Sequence, residues 1–345
     1  MVRLGAMGDI LHSLPAVTAL RQAHPEWFIG WAIEPQWRGL FSAGEPGSGA
    51  PGESSTHTPR MPLVDRLHIV AAKKWARSPL SPVTLAEIRR VRRELRAMQY
   101  DVAVDMQGAV RSAMIARWAG TRKIIGEAQP REWAAKWLFG QRVPTRGVHV
   151  IEQSMEVANA IAGDTLPVTQ PLLPCEPRAD AQAAELPQPF VLISPGAGWG
   201  AKRWPPARYG AVARQLTAAG YSVVVNSGPA EESLAEEIVE SSQGAARNLP
   251  LDIPGLIAVT RRASLAIAGD TGPLHLACAL GRPVVGIYGP TDPARNGPFG
   301  CASRVLRHPE SVRDHTRHSE PEAGLLTITP EAVTAAALEL LEEAR

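Results

Sequence analysis

A chain of 345 residues with 45% hydrophobic residues is too long for one small core and too apolar for wholesale disorder, so two domains are expected. Its three widely spaced cysteines, Cys175, Cys278 and Cys301, fit neither a disulfide framework nor a zinc pattern, which points to a reducing, cytoplasmic location. The formal charge of +2 hides an asymmetry: residues 1–165 carry 21 Lys and Arg against 15 Asp and Glu, and the remainder 15 against 19. A basic front half predicts an anionic partner: a phosphorylated substrate, a membrane surface or nucleic acid.

The N-terminus lacks a signal-peptide pattern, and no apolar run reaches the roughly 18 residues of a membrane span. The chain opens with a short strand near residues 2–4 and the stretch RLGAMGDILHSLPAV (3–17). Gly5 and Gly8 resemble half of a phosphate-cradling loop, but the third glycine of a dinucleotide fingerprint is missing and Asp9 is negative. Proline suits the first turn of a helix, so Pro15 predicts a helix starting near Ser13 or Leu14, with residues 5–12 as loop. Asp9 then projects from that loop as a candidate general base.

FIGWAIE (28–34) reads as a strand, and the Gly-, Pro- and Ser-rich stretch 43–60 as a mobile loop. Lys73, Lys74, Trp75 and Arg77 lie in a predicted loop suited to anion recognition. The following helix (83–99) turns Leu85, Ile88, Val91, Leu95 and Met98 inward and Arg89, Arg90, Arg93 and Arg96 to solvent. That charged face reads as no more than a solvated surface or a diffuse attraction to anionic membrane, the preceding loop being the better candidate for specific anion recognition. YDVAVDM (100–106) is the next strand, and the six prolines of 166–189 mark an interdomain linker.

Beyond the linker, buried strands alternate with helices: strands at 190–196, 221–228, 264–270 and 283–290, helices at 205–220, 230–242 and 273–281. This predicts a parallel sheet covered on both faces, with ligands at the strand carboxyl ends. Three strand-to-helix junctions could carry chemistry. In ISPGAGWGAKRWPP (193–206), Lys202 and Arg203 could neutralise phosphate, or lie in a solvated loop anchored by Trp204. In NSGPAEESL (226–234), Glu231 or Glu232 could hold ribose hydroxyls, or serve only the helix dipole. At Asp270-Thr271-Gly272 the amides of a helix starting at Pro273 suit a diphosphate, unless Asp270 or Thr271 simply caps that helix. His308, His315 and His318 match no zinc template, and TPEAVTAAALELLEEAR (329–345) is a terminal helix.

RLGAMGDILHSLPAV, DMQGAVRSA (105–113), KRWP (202–205) and GDTGPLHLACALGRPVVGIYGPTDP (269–293) together resemble the ADP-heptose:lipopolysaccharide heptosyltransferases, glycosyltransferase family 9. KKWAR, DMQG and QPREW (129–133) tilt the resemblance towards the first heptosyltransferase of the inner core. The resemblance implies a GT-B fold: an acceptor-binding Rossmann-like domain (1–165), a linker (166–189), a nucleotide-sugar domain (190–328) facing the first across a cleft, and a terminal helix packing back towards the first domain. It implies inverting, metal-independent transfer of heptose from ADP-heptose to the Kdo of lipid A-Kdo, with no cofactor, by a monomer at the cytoplasmic face of the inner membrane. Asp9 and Lys202 match the catalytic positions. Gly196, Glu231 or Glu232, Leu251, Asp270, Thr271, Gly272 and His275 match donor-side positions, and Gly8, His12, Lys73, Lys74, Gln107 and Arg131 acceptor-side ones. This chain departs from the family in its short first strand, Met1–Leu4, and its expanded 43–60 loop. Other readings are another family 9 acceptor or nucleotide sugar, a nucleotide-sugar epimerase or hydrolase, or a binding module without catalysis. No nucleic-acid-binding signature accompanies the basic half.

Overall fold

The structure, a computed structural model, describes residues 1–44, 58–228, 231–311, 313, 314, 316 and 318–344. Most of the loop expected over 43–60, and His315, lie outside the described residues. The chain divides into two compact units, Met1–Pro174 and Cys175–Arg345.

In the first unit, α1 (Met7–Ala23), β1 (Gly30–Ile33), β2 (Arg66–Ile69), α2 (Ala72–Arg77) and α3 (Pro82–Ala97) precede β3 (Val102–Asp105), α4 (Val110–Trp118), β4 (Lys123–Glu127), β5 (Gln141–Val143) and α5 (Val150–Ala162). β1 pairs with β2, and β3, β4 and β5 pair in order, all parallel. The short first strand joins the two groups. Val2 bridges both Ala32 and Asp105, its amide donating to Val104 O at 2.8 Å while Met106 N–H donates back to Val2 O at 3.1 Å. Four residues therefore suffice to place the next turn at the carboxyl end of the sheet's centre.

The helix expected from Ser13 begins at Met7, so residues 7–12 are helical and Pro15 lies inside α1. An interior proline costs about 3 kcal/mol through a lost N–H and a clash. Burial outweighs it: Ile10, Leu11, Leu14, Val17 and Leu20 are all in the core, at roughly 1.5–3 kcal/mol each. Ser13, near which the helix was expected to start, donates within it to Asp9 O at 3.2 Å. In α3 the inward residues are Thr84, Val91 and Leu95, while Leu85 is exposed; the arginines face solvent as predicted.

The second unit contains α6 (Pro177–Ala184), β6 (Phe190–Ser194), α7 (Pro206–Ala218), β7 (Ser222–Ser227), α8 (Glu232–Ser241), β8 (Ala246–Pro250), α9 (Ile253–Arg262), β9 (Leu265–Gly269), α10 (Gly272–Ala279), β10 (Val284–Tyr288), α11 (Pro293–Asn296), β11 (Ser303–Arg307) and α12 (Pro330–Glu343). Its six strands run parallel in the order β11-β10-β9-β6-β7-β8. The central strands β6, β9 and β10 are buried along their whole length, which explains their unbroken apolar runs. The stretch read as a linker is not irregular throughout, because its alanines let α6 pack against α9 through Ala179 and Ala183. Within the second unit the terminal helix contacts α7, β9, β10 and β11. Val333, Ala337, Leu340 and Leu341 supply that buried face.

Candidate active site

In the second unit the sheet order lines up the expected donor-side residues. Asp270–Gly272 follow β9, Gly196 and Lys202 follow β6, Glu231 follows β7 and Leu251 follows β8. Three strand spacings separate the first of these from the last, about 14 Å, enough for an extended nucleoside diphosphate.

At the β9 end, Asp270 is buried and bound on several sides. Lys202 Nζ meets its carboxylate and, at 3.3 Å, its backbone oxygen; His275 Nε2 stands 3.2 Å from Oδ1, and Asn296 Nδ2 donates to Oδ1 at 3.1 Å. Burial pushes the Asp270 carboxyl up, but the His275 and Lys202 hydrogen bonds and charges outweigh it and hold the group far below the usual carboxylate range. Lys202 Nζ also sits 4.3 Å over the ring of Trp199. Neither Asp270 nor Thr271 caps α10, since Thr271 Oγ1 donates to Gly269 O at 3.2 Å instead. The amides of the first turn of α10, with Gly272 leading, are thus left to a ligand such as a phosphate.

Glu231 is distinguished from Glu232. Its carboxylate accepts from Gly228 N–H at 3.1 Å and lies where a Cβ on Gly196 would come within 2.2 Å of Oε1. Glu232 is exposed in the first turn of α8. Leu251 is half-buried just before α9, whose cap Asp252 accepts from Gly255 N–H at 2.8 Å. Arg203 points to solvent, while Trp204 anchors the loop by donating to Ile328 O at 3.1 Å.

In the first unit Asp9 occupies the first turn of α1, not a loop. Its Oδ2 accepts from Ala6 N–H at 3.2 Å, and Arg3 approaches Oδ1 at 3.3 Å. The side chain remains 42% exposed, so it can reach a substrate. Gly5 before it has φ +152°, and a Cβ there would lie 2.6 Å from Trp37 Nε1, so only glycine fits. Gly8 lies in the same helical turn. His12 is buried and packs edge-on to His149, the residue that caps α5, at 5.6 Å.

The DMQG and QPREW stretches meet. Gln107 Oε1 accepts from Leu4 N–H at 2.8 Å; Gly108 O accepts from Glu132 N–H at 2.8 Å; and Arg131, exposed, directly precedes Glu132. Gly108 has φ +67° and runs against the Arg131 backbone, so a side chain there would collide. Asp105 organises the turn, accepting from Gln107 N–H at 2.7 Å, Gly108 N–H at 2.9 Å and Ser112 Oγ. Its burial raises the carboxyl to about 6 despite those donors. The KKWAR stretch is the helix α2, not a loop: Trp75 is core, Lys74 pairs with Glu87 at 2.7 Å, and Lys73 is exposed while its amide donates to buried Glu34 at 2.9 Å. Trp75 anchors this short helix to the core, and Lys73 and Lys74 both stay exposed.

Sequence reasoning passed over Arg3, Glu34, Asp105 and Asn296. Asn296 alone had a signal, closing the helix that YGPTDP starts. Among the described residues no group of three His, Cys, Asp or Glu side chains could hold a metal ion, and no helix is long and apolar enough to cross a membrane.

Residues 88–324 match the family model "Glycosyltransferase family 9 (heptosyltransferase)". Lipopolysaccharide heptosyltransferase 1 of Pseudomonas aeruginosa is 28% identical over 312 residues, covering 87% of this chain and 81% of that protein. The protein of the same name from Escherichia coli K12 is 28% identical over 318 residues, covering 90% and 93%. The solved structure of the E. coli heptosyltransferase WaaC with ADP-2-deoxy-2-fluoro heptose superposes with a TM-score of 0.77 at 26% identity, covering 98% of each chain.

Proposed function

The chain belongs to glycosyltransferase family 9, the heptosyltransferases, with the GT-B fold, and from that premise we propose that it adds the first heptose of the lipopolysaccharide inner core. The donor is ADP-L-glycero-β-D-manno-heptose and the acceptor a hydroxyl of Kdo on lipid A. What supports the donor reading above all is the row of strand ends in the second unit, in the order phosphate, ribose, adenine: Asp270–Gly272 with Lys202, then Glu231, then Leu251.

In this reading the reaction is a single displacement. The acceptor oxygen attacks the anomeric carbon as the bond from that carbon to the diphosphate oxygen breaks, which inverts the centre. Asp9 takes the acceptor's proton, and Arg3 orients its carboxylate. Lys202 and the first-turn amides of α10 take up the charge developing on the departing ADP, so side chains and a helix terminus do the work that a divalent cation does elsewhere. Asp270, with His275 and Asn296, orients Lys202. Glu231 accepts from the ribose hydroxyls and Leu251 covers the adenine. Lys73 and Arg131, both exposed, meet the carboxylates and phosphates of the acceptor. The protein works as a monomer on the cytoplasmic side, resting on the membrane that holds its lipid acceptor.

The test is ADP release from ADP-heptose with Kdo-lipid A. It should require the acceptor, survive EDTA and fall at least ~100-fold in Asp9→Ala. Release without acceptor would make the protein a hydrolase and overturn the reading.

A further inference from the structure

A 3₁₀ turn between β4 and β5, Trp133–Leu138, holds two tryptophans out in solvent, with side chains 66% and 61% exposed at Trp133 and Trp137. They are the only tryptophans among the exposed large hydrophobic residues described. Their exposure does not come from a loose segment. Ala135 and Phe139 are buried between them and behind them, Ala135 N–H donates to Glu132 O at 2.9 Å, and Arg142 Nε holds Lys136 O at 3.0 Å. The two rings stand edge-to-face at 6.1 Å. Lys136 Nζ lies 4.9 Å from one ring centroid and 5.4 Å from the other, and the Arg142 guanidinium 5.3 Å from the Trp137 ring. The turn packs against α4, whose outward residues three apart are Arg111, Met114 and Arg117.

We propose that the rigid Trp133–Trp137 platform, with Lys136 and Arg142, is the surface by which this protein docks on an anionic phospholipid bilayer. Indole rings prefer the headgroup level of a membrane, where the apolar ring is desolvated and the N–H stays wet. Cations beside them face phosphate and carboxylate headgroups, and Met114 with the α4 arginines extends the same mixture of apolar and positive groups. Charge complementarity favours this occupant: no carboxylate pairs with Lys136 or Arg142 among the ion pairs described, Arg142 is exposed and Lys136 is half-exposed beside the rings. The proposal extends the membrane location read above and rests on it.

The experiment is co-sedimentation with vesicles free of lipopolysaccharide, of phosphatidylcholine alone or with 30% phosphatidylglycerol, beside a transferase assay on a soluble deacylated acceptor. The wild type should bind the anionic vesicles, lose them in high salt and shift its tryptophan emission to the blue. Trp137→Ala and Lys136→Glu/Arg142→Glu should each bind at least tenfold less, with unchanged turnover of the soluble acceptor. Equal sedimentation of wild type and variants, or none by the wild type, overturns the platform. Failure of the wild type to turn over the soluble acceptor would instead count against the transferase reading, leaving the sedimentation result to decide the platform by itself.

Discussion

Lys202 reaches across from the loop after β6 to the carboxylate and backbone oxygen of Asp270 after β9, joining two strand ends 68 residues apart. The pair is buried, and one partner without the other leaves an uncompensated charge, a loss of about 3–5 kcal/mol. Asp270→Ala should therefore lower stability by that order and reduce transfer at least tenfold. Because the folded pKa is depressed, the carboxylate's contribution is present above the ordinary value of 3.8 and is lost only as pH falls through its lower folded value. Unfolding curves at pH 7 and pH 4.5 should show the same deficit for the variant. A deficit that vanishes at pH 4.5 would be wrong for this sign.

Asp105 predicts the opposite trend. Its pKa is raised from 3.8 to about 6, so the neutral form is favoured on folding. Stability is greatest below 3.8 and is lost as pH rises through 6, by roughly 3 kcal/mol in all. Asn can accept from the same two amides without titrating. Relative to wild type, Asp105→Asn should gain stability between pH 4 and pH 7, and parallel pH profiles would count against it.

Glu231 and Gly196 should behave as one unit. Glu231→Gln should raise the KM for the donor several-fold with little change in turnover, while Glu232→Gln should leave both alone. Gly196→Ala places a methyl 2.2 Å from Glu231 Oε1 and should reproduce the Glu231 effect without touching the carboxylate. Steady-state kinetics on all three variants, with a normal KM in Gly196→Ala, would separate the two residues.

Arg3, next to the bridging Val2, approaches Asp9 at 3.3 Å. Arg3→Met should slow turnover about tenfold, as expected for a misoriented base, and leave donor affinity unchanged. A change confined to donor binding would remove Arg3 from this role.

Periodicity alone makes the second unit's α/β alternation legible, because buried parallel strands read as continuous apolar runs. It could not see β8 or β11, edge strands whose polar residues carry no such run. The start of α1 was misread for a related reason: the rule for proline is local, whereas the burial that overrides it comes from distant residues.

The sequence by itself determined the motif residues and their order along the chain, since glycine, proline and charge act through near neighbours. Only the tertiary structure set Glu231 against Gly196 while leaving Glu232 exposed, bound Lys74 to Glu87, packed His12 against His149 and brought Asn296 to Asp270. Each depends on contacts between segments far apart in sequence, where sheet order and burial determine which side chains meet.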